Sequence, residues 1–191
     1  MSLVVSCSAL ALPVFGGVEI VAVQDTGAVT IPSSGRIAIL CMSGDLSHRK
    51  PVEDGFAARF RGQVDAVTVP SYTILDPTRE YTGDETFALL NAAGVTTLVT
   101  VTLDGPPANL TEEAIALGWH ESAGQKRRGL AQHLSLELWD VASGTRGWTA
   151  IATDSAPVGA TLEVVVGPIA ERIAEELVKD GFTTKPASQG T

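Results

Sequence analysis

Thiols are nearly absent from this chain of 191 residues: there are two, Cys7 and Cys41. That excludes a disulfide framework. Histidine is as scarce, with three residues, His48, His120 and His133, so a Ser/His/Asp set has little to be built from. There is no G-x-S-x-G elbow, and neither H-E-x-x-H nor C-x-x-C, the spacings that gather a nucleophile or a metal ion. Phosphate cradles are missing too, both G-x-G-x-x-G and G-x-x-x-x-G-K-[ST]. The nearest approach, Gly118 with Gly124, Gln125 and Lys126, has the wrong spacing and no hydroxyl after the lysine. No catalytic residue, metal ligand or cofactor is expected on these grounds.

Positive charge is in deficit, with 13 Lys and Arg against 22 Asp and Glu and a net charge of −9. Both halves of the chain share it. Nucleic acid as a partner is excluded by this balance, because phosphates need a basic face to neutralise them. Adhesion to an anionic membrane by charge alone is disfavoured as well. The basic cluster Lys126, Arg127 and Arg128 reads as a solvated turn. Long apolar runs are also lacking. Residues 3–23 are apolar on average, but Pro13, Gly16, Gly17 and Glu19 interrupt them short of the ~20 clean residues a membrane span needs.

What is present is enough for a core. The chain is 45% hydrophobic and only 18% charged, a globular composition, and a chain of this length buries about 70% of its unfolded surface. The expected organisation is an N-terminal extension or signal remnant at 1–17, one α/β domain at 18–183 and a tail at 184–191.

Val18–Val23 alternates as a strand does. Arg36–Met42 is almost continuously apolar, the pattern of a strand covered on both faces. A helix is expected from His48 to Phe60, with Val52, Phe56, Ala57 and Phe60 at helical spacing, Ser47 as N-cap and Pro51 in the first turn. Ala66–Leu75 is β-rich, and Pro70 demotes part of it to an edge or bulge. Asp84 is expected to cap a second helix running through Ala93 and ended by Gly94. Val95–Leu103 is the strongest β segment. Residues 104–129 form an irregular excursion. Two strands close the chain, one alternating through Leu134, Leu136 and Leu138, the other starting at Trp148. A last helix lies at about 160–180 with Gly181 as its stop. Leu162, Val166, Ile169, Ile173 and Leu177 line one face, Glu163, Glu171 and Glu175 point elsewhere, and Glu176 lies near the apolar edge. Pro168 either kinks this helix or marks its true start, with 161–166 then a strand. The fold class is α/β: a mixed sheet, parallel in the middle, with an antiparallel C-terminal hairpin and helices packed on it.

Two places could carry chemistry. Val4, Val5 and Ser6 precede Cys7 as aliphatic and small residues precede a lipid-bearing cysteine in bacterial lipoproteins, so Cys7 is the candidate lipid attachment site. The alternative is an ordinary apolar N-terminal segment. The second place is the loop from Ser43 to Lys50, at the carboxyl end of an expected parallel strand and opening a helix, where α/β sheets bind anions. Ser43, Ser47, His48, Arg49 and Lys50 are its candidate anion ligands, set against a helix cap with solvated cations. Trp139 and Trp148 are read as hairpin packing in preference to a sugar platform, and His133 as a sheet residue.

These residues together resemble a family. Arg36–Leu40 followed by Ser43, Gly44, Asp45 and a helix resembles the opening of small bacterial envelope lipoprotein domains. Pro70–Leu75, an acidic helix and Ala92, Ala93, Gly94 and Val95 continue the likeness. So do Leu136–Thr145 with Trp148 and a helix closed by Lys179, Asp180, Gly181 and Phe182. The layout, over about residues 35–183, is similar to that of the curli secretion channel CsgG and the N-terminal domain of TolB. The resemblance implies a non-catalytic periplasmic or outer-membrane domain, lipid-anchored, that binds or assembles with another envelope protein or with itself. No channel-forming hairpin pair is visible, so pore formation is not carried over. The competing reading is a small cytosolic α/β enzyme or anion- or nucleotide-binding protein using the 43–50 loop.

Overall fold

The apolar run near residue 36 becomes strand β2, Gly35–Cys41, and its continuity follows from burial on both sides. Ile37, Ile39 and Cys41 belong to one apolar cluster, while Ala38 and the partly buried Leu40 belong to another. Side chains alternate across a strand, so only a strand with cover on both faces can be apolar at every position. The structure, a computed structural model, describes residues 18–24, 29–43, 46–103, 131–155 and 162–184. Cys7 and the N-terminal extension, the 104–129 excursion with His120 and the 126–128 cluster, and residues 185–191 lie outside the described residues.

The remaining strands are β1 (Glu19–Gln24), β3 (Ala66–Pro70), β4 (Thr97–Leu103), β5 (Ala131–Asp140) and β6 (Thr145–Ser155). Among the described residues they form one mixed sheet in the order β1-β6-β5-β4-β2-β3. The β3, β2 and β4 strands are parallel and make one side of it; β4, β5, β6 and β1 run antiparallel and make the other. The expected mixed α/β architecture with a C-terminal hairpin is the one observed. Pro70 ends β3, a margin strand, where a residue without an N–H costs the ladder least.

Helix α1 (Leu46–Phe60) connects β2 to β3 and packs with α3 (Leu162–Lys179) on one sheet face. Val52, Phe56, Ala57 and Phe60 of α1 are buried against Val166, Ile169, Ile173 and Leu177 of α3 and the inward faces of β2, β4, β5 and β6. The two helices meet closely at Gly55, where a Cβ would lie 2.7 Å from Val166 Cγ1. Helix α2 (Gly83–Ala92) connects β3 to β4 and covers the opposite face with Leu90 and Phe87.

Two local expectations are corrected, on Ser47 with Pro51 and on Asp84, and of the two readings of Pro168 the one that made it the helix start is removed. Helix α1 starts at Leu46, so Ser47 is its second residue and not its cap, and Pro51 falls in the second turn. Within this helix Arg49 and Glu53 stand at i,i+4, where they pair. Pro168 lies inside α3, and 162–166 are helical. The apolar stripe runs through the proline without a break, with Val166 and Ile169 buried on either side and Pro168 itself exposed. Asp84 is the second residue of α2; the cap is Thr82. Its hydroxyl accepts from the Glu85 N–H at 3.2 Å, and the Glu85 carboxylate accepts from the Thr82 N–H at 3.0 Å. This reciprocal pair satisfies two amides, one more than a single capping side chain does.

The Thr82 N–H bond, with a smaller contribution from the Thr82 hydroxyl and Arg79, holds the Glu85 carboxyl below its ordinary value of 4.5. A depressed folded value means that the cap's contribution is fully present above 4.5 and is lost as pH falls through the lower folded value. The Thr82 amide resonance is therefore expected to titrate with a midpoint below 4.5, and a midpoint at or above 4.5 would contradict the capping box.

Candidate functional site

Strand β2 lies between β3 and β4. Leaving β2, the chain crosses by α1 on one face to β3, then returns by α2 on the other face to β4. Helices on opposite faces part at the carboxyl end of β2, and such a crevice is where open α/β sheets bind ligands.

That end of the sheet is organised around a carboxylate. Glu53, on α1, has no exposed surface. Its Oε1 accepts from the Cys41 N–H at 3.2 Å, from Arg49 Nε at 2.6 Å and from the Ser71 hydroxyl at 2.9 Å. Its Oε2 accepts from the Tyr72 N–H at 3.0 Å. A buried charge is tolerable only when paired and hydrogen-bonded, and Glu53 is both. The network joins the end of β2, the second turn of α1 and the 3-10 turn at Ser71–Thr73 that follows β3. Arg49 is held in turn by donating to the Ser71 hydroxyl at 2.8 Å.

Cys41 lies beside this network with 1% of its surface exposed. Burial, and next the charge of Glu53, push its thiol up to about 12. The thiolate is the nucleophile, so a thiol titrating there stays protonated and inert at neutral pH.

The sequence-predicted anion ligands are divided by the structure. Ser43 and Arg49 line one cleft. Ser47 and His48 are exposed on the first turn of α1, and Lys50 lines a separate groove with Asp54, Gly55, Arg59 and Gly167, between α1 and α3. Lys50 donates to Asp54 at 2.6 Å and lies 4.9 Å from the centre of the Tyr72 ring. Tyr72 also donates its hydroxyl to Asp54, at 2.5 Å. Burial alone would raise the Asp54 carboxyl, but the hydrogen bonds from Lys50 and Tyr72 outweigh it and hold the group below its ordinary value. The bond to Asp54 raises both the Lys50 ammonium and the Tyr72 phenol. The charge of Lys50 is used within this cluster.

The cleft at the crevice has a volume of about 590 Å³. Leu40, Met42, Leu46, Leu75 and Pro77 give it apolar walls; Arg49, Arg79, Glu80 and Tyr81 add polar ones. Arg79 donates to Glu85 at 3.2 Å and stacks on the Tyr81 ring at 4.9 Å. Sequence reading missed Glu53, Arg79 and Tyr81. Glu53 carried a signal: it sits three and four residues before Phe56 and Ala57 in the apolar stripe of its own helix. Arg79 and Tyr81 lie in a polar connection that has no periodicity to mark them.

No family model and no curated protein matches the chain. Solved structures do. A PelC dodecamer from Paraburkholderia phytofirmans aligns over 82% of this chain and 98% of its own, at 11% identity and a TM-score of 0.51. That likeness shows a shared fold. The lipoprotein GNA1162 from Neisseria meningitidis aligns over 78% of this chain and 99% of its own, at 12% identity and a TM-score of 0.43. TolB from Acinetobacter baumannii aligns over 87% of this chain and 31% of its own, at 12% identity and a TM-score of 0.39.

Proposed function

We propose that this chain is a non-catalytic assembly module of the bacterial cell envelope, which associates with further copies of itself. The observation that carries the reading is the fold shared with PelC over 98% of that chain, because PelC is a dodecamer. The strand margins are compatible with association. Strand β1 ends the sheet, and its outer side has no paired strand among the described residues. Such an edge presents unpaired N–H and C=O groups to a partner. The reactive groups near the cleft are engaged: Glu53 accepts four hydrogen bonds and the Cys41 thiol is protonated.

The envelope location and the lipid anchor belong to the same proposal, as do the single domain at 18–183 and its terminal extensions. The location and the anchor are supported by Val4, Val5 and Ser6 before Cys7. Among the described residues no helix is long and apolar enough to cross a membrane, so attachment would fall to the thioether-linked lipid. Two acyl signals or more are needed for stable anchoring. Bacteria expressing the full gene with its natural upstream sequence are expected to incorporate labelled palmitate into the product, and Cys7→Ser is expected to abolish the label. An unlabelled parent protein removes the anchor from the account. The mass of the intact chain in solution tests the assembly: a multimer is expected, and a monomer contradicts it.

A further inference from the structure

We propose that the cleft beyond the carboxyl end of β2 binds a small amphipathic organic anion, a carboxylate carrying an apolar chain. Its position is the first argument, since it opens where α1 and α2 diverge to opposite faces of the sheet. Its size is the second: about 590 Å³ falls within the range of small-molecule pockets.

The walls decide the chemistry. Met42 and Leu46 are 57% and 45% exposed, two of the few large hydrophobic side chains left open to solvent among the described residues, and both line this cleft. With Leu40, Leu75 and Pro77 they form a surface that an apolar chain would cover. Two arginines and one glutamate, Arg49, Arg79 and Glu80, contribute the charge of the lining. Both arginines are ion-paired, Arg49 with Glu53 and Arg79 with Glu85, so the anion would be held through their remaining N–H groups.

Arg49 is preorganised for an anion. Its side chain is only 12% exposed. Glu53 and Ser71 occupy Nε and one terminal nitrogen, and the other terminal nitrogen, Nη1, has no hydrogen-bond partner among the described residues. Fixing a guanidinium before the ligand arrives removes much of the side-chain entropy cost of binding. Arg79, 61% exposed, stacked on Tyr81 and paired through Nη2 with Glu85, is a second guanidinium at the rim. An inorganic anion would leave the apolar wall wet, and a neutral chain would leave Arg49 Nη1 without an acceptor. An amphipathic carboxylate satisfies both.

Calorimetric titration with octanoate, octanol and inorganic phosphate tests the site, with the intact chain as receptor. Octanoate is expected to bind about tenfold more tightly than either control. Equal affinity for octanol removes the cationic contribution, equal affinity for phosphate removes the apolar one, and either result overturns the proposal. Amide resonances of Ser43, Thr78, Arg79, Tyr81 and Thr86 are expected to shift on octanoate addition; shifts confined to other residues overturn it too. Arg79→Gln is expected to weaken octanoate and leave octanol unchanged, whereas Leu46→Glu is expected to abolish octanoate binding. Both positions are largely exposed, so the native spectrum is expected to persist in each variant and verifies the fold. Undiminished octanoate binding in both variants contradicts the placement.

Discussion

Glu53→Ala is expected to destabilise the protein by about 3–5 kcal/mol, the cost of removing one partner from a buried ion pair. The carboxylate is fully buried and receives four hydrogen bonds. Its loss strands Arg49, 12% exposed, without a counter-charge, and leaves the Cys41 and Tyr72 amides without acceptors. Unmade bonds of buried donors cost more than made bonds gain. Glu53→Gln keeps the shape and an acceptor oxygen, but turns an NH2 group toward donors, so a smaller loss of about 1–3 kcal/mol is expected. Urea unfolding checks both. A Glu53→Ala midpoint close to the parent's would mean that the network is ornamental. Because the network also holds Arg49, the same variant is expected to lose octanoate binding even where it remains folded.

Trp148→Ala is expected to cost about 3–5 kcal/mol, the usual range for deleting a buried aromatic. Trp148 is 1% exposed on β6, facing the core beneath α3. Its ring meets Phe182 edge to face at 6.3 Å, and its indole N–H donates to Asp180 at 3.3 Å. Phe182 in turn accepts from the Ile31 N–H at 2.6 Å through its carbonyl. One side chain therefore fastens the chain after α3 to the sheet and to the segment before β2. Trp148→Phe retains most of the apolar area and loses only a bond to an exposed aspartate, so it is expected to cost much less. Thermal or urea unfolding separates the two; equal losses would show that the indole N–H, and not the burial, dominates.

Elements with one strong periodicity were legible in the sequence. The stripe of α3 was read residue by residue, with Glu176 correctly placed at the apolar edge; it is 6% exposed. The double burial of β2 and the edge position of Pro70 followed from the continuity of the run and from proline's missing N–H. Both hairpin tryptophans pack as expected, but on opposite faces. Trp148 joins the α1 and α3 side, and Trp139 meets Phe87 of α2 at 5.9 Å. Alternation alone turns Trp139 away from Leu138, whose cross-strand partner is Trp148, so only the pairing register, and not either residue's position in its own strand, was missing.

The site was much less legible, for a physical reason. A Glu in an apolar stripe reads as solvated because its burial depends on donors supplied by Cys41, Ser71 and Tyr72, and periodicity describes only one element at a time. Arg49 and Lys50 are adjacent in sequence, yet helical geometry turns them about 100° apart, toward different partners and different hollows. The Thr82 cap could have been read, since Thr82 and Glu85 form a T-x-x-E box.

Self-association is the central claim, and sedimentation velocity of the intact chain over a dilution series from tens of micromolar downward tests it most directly. The account predicts a species several times the 19.9 kDa of one chain, giving way to smaller ones on dilution as mass action requires. A single species of 19.9 kDa at every concentration would contradict it.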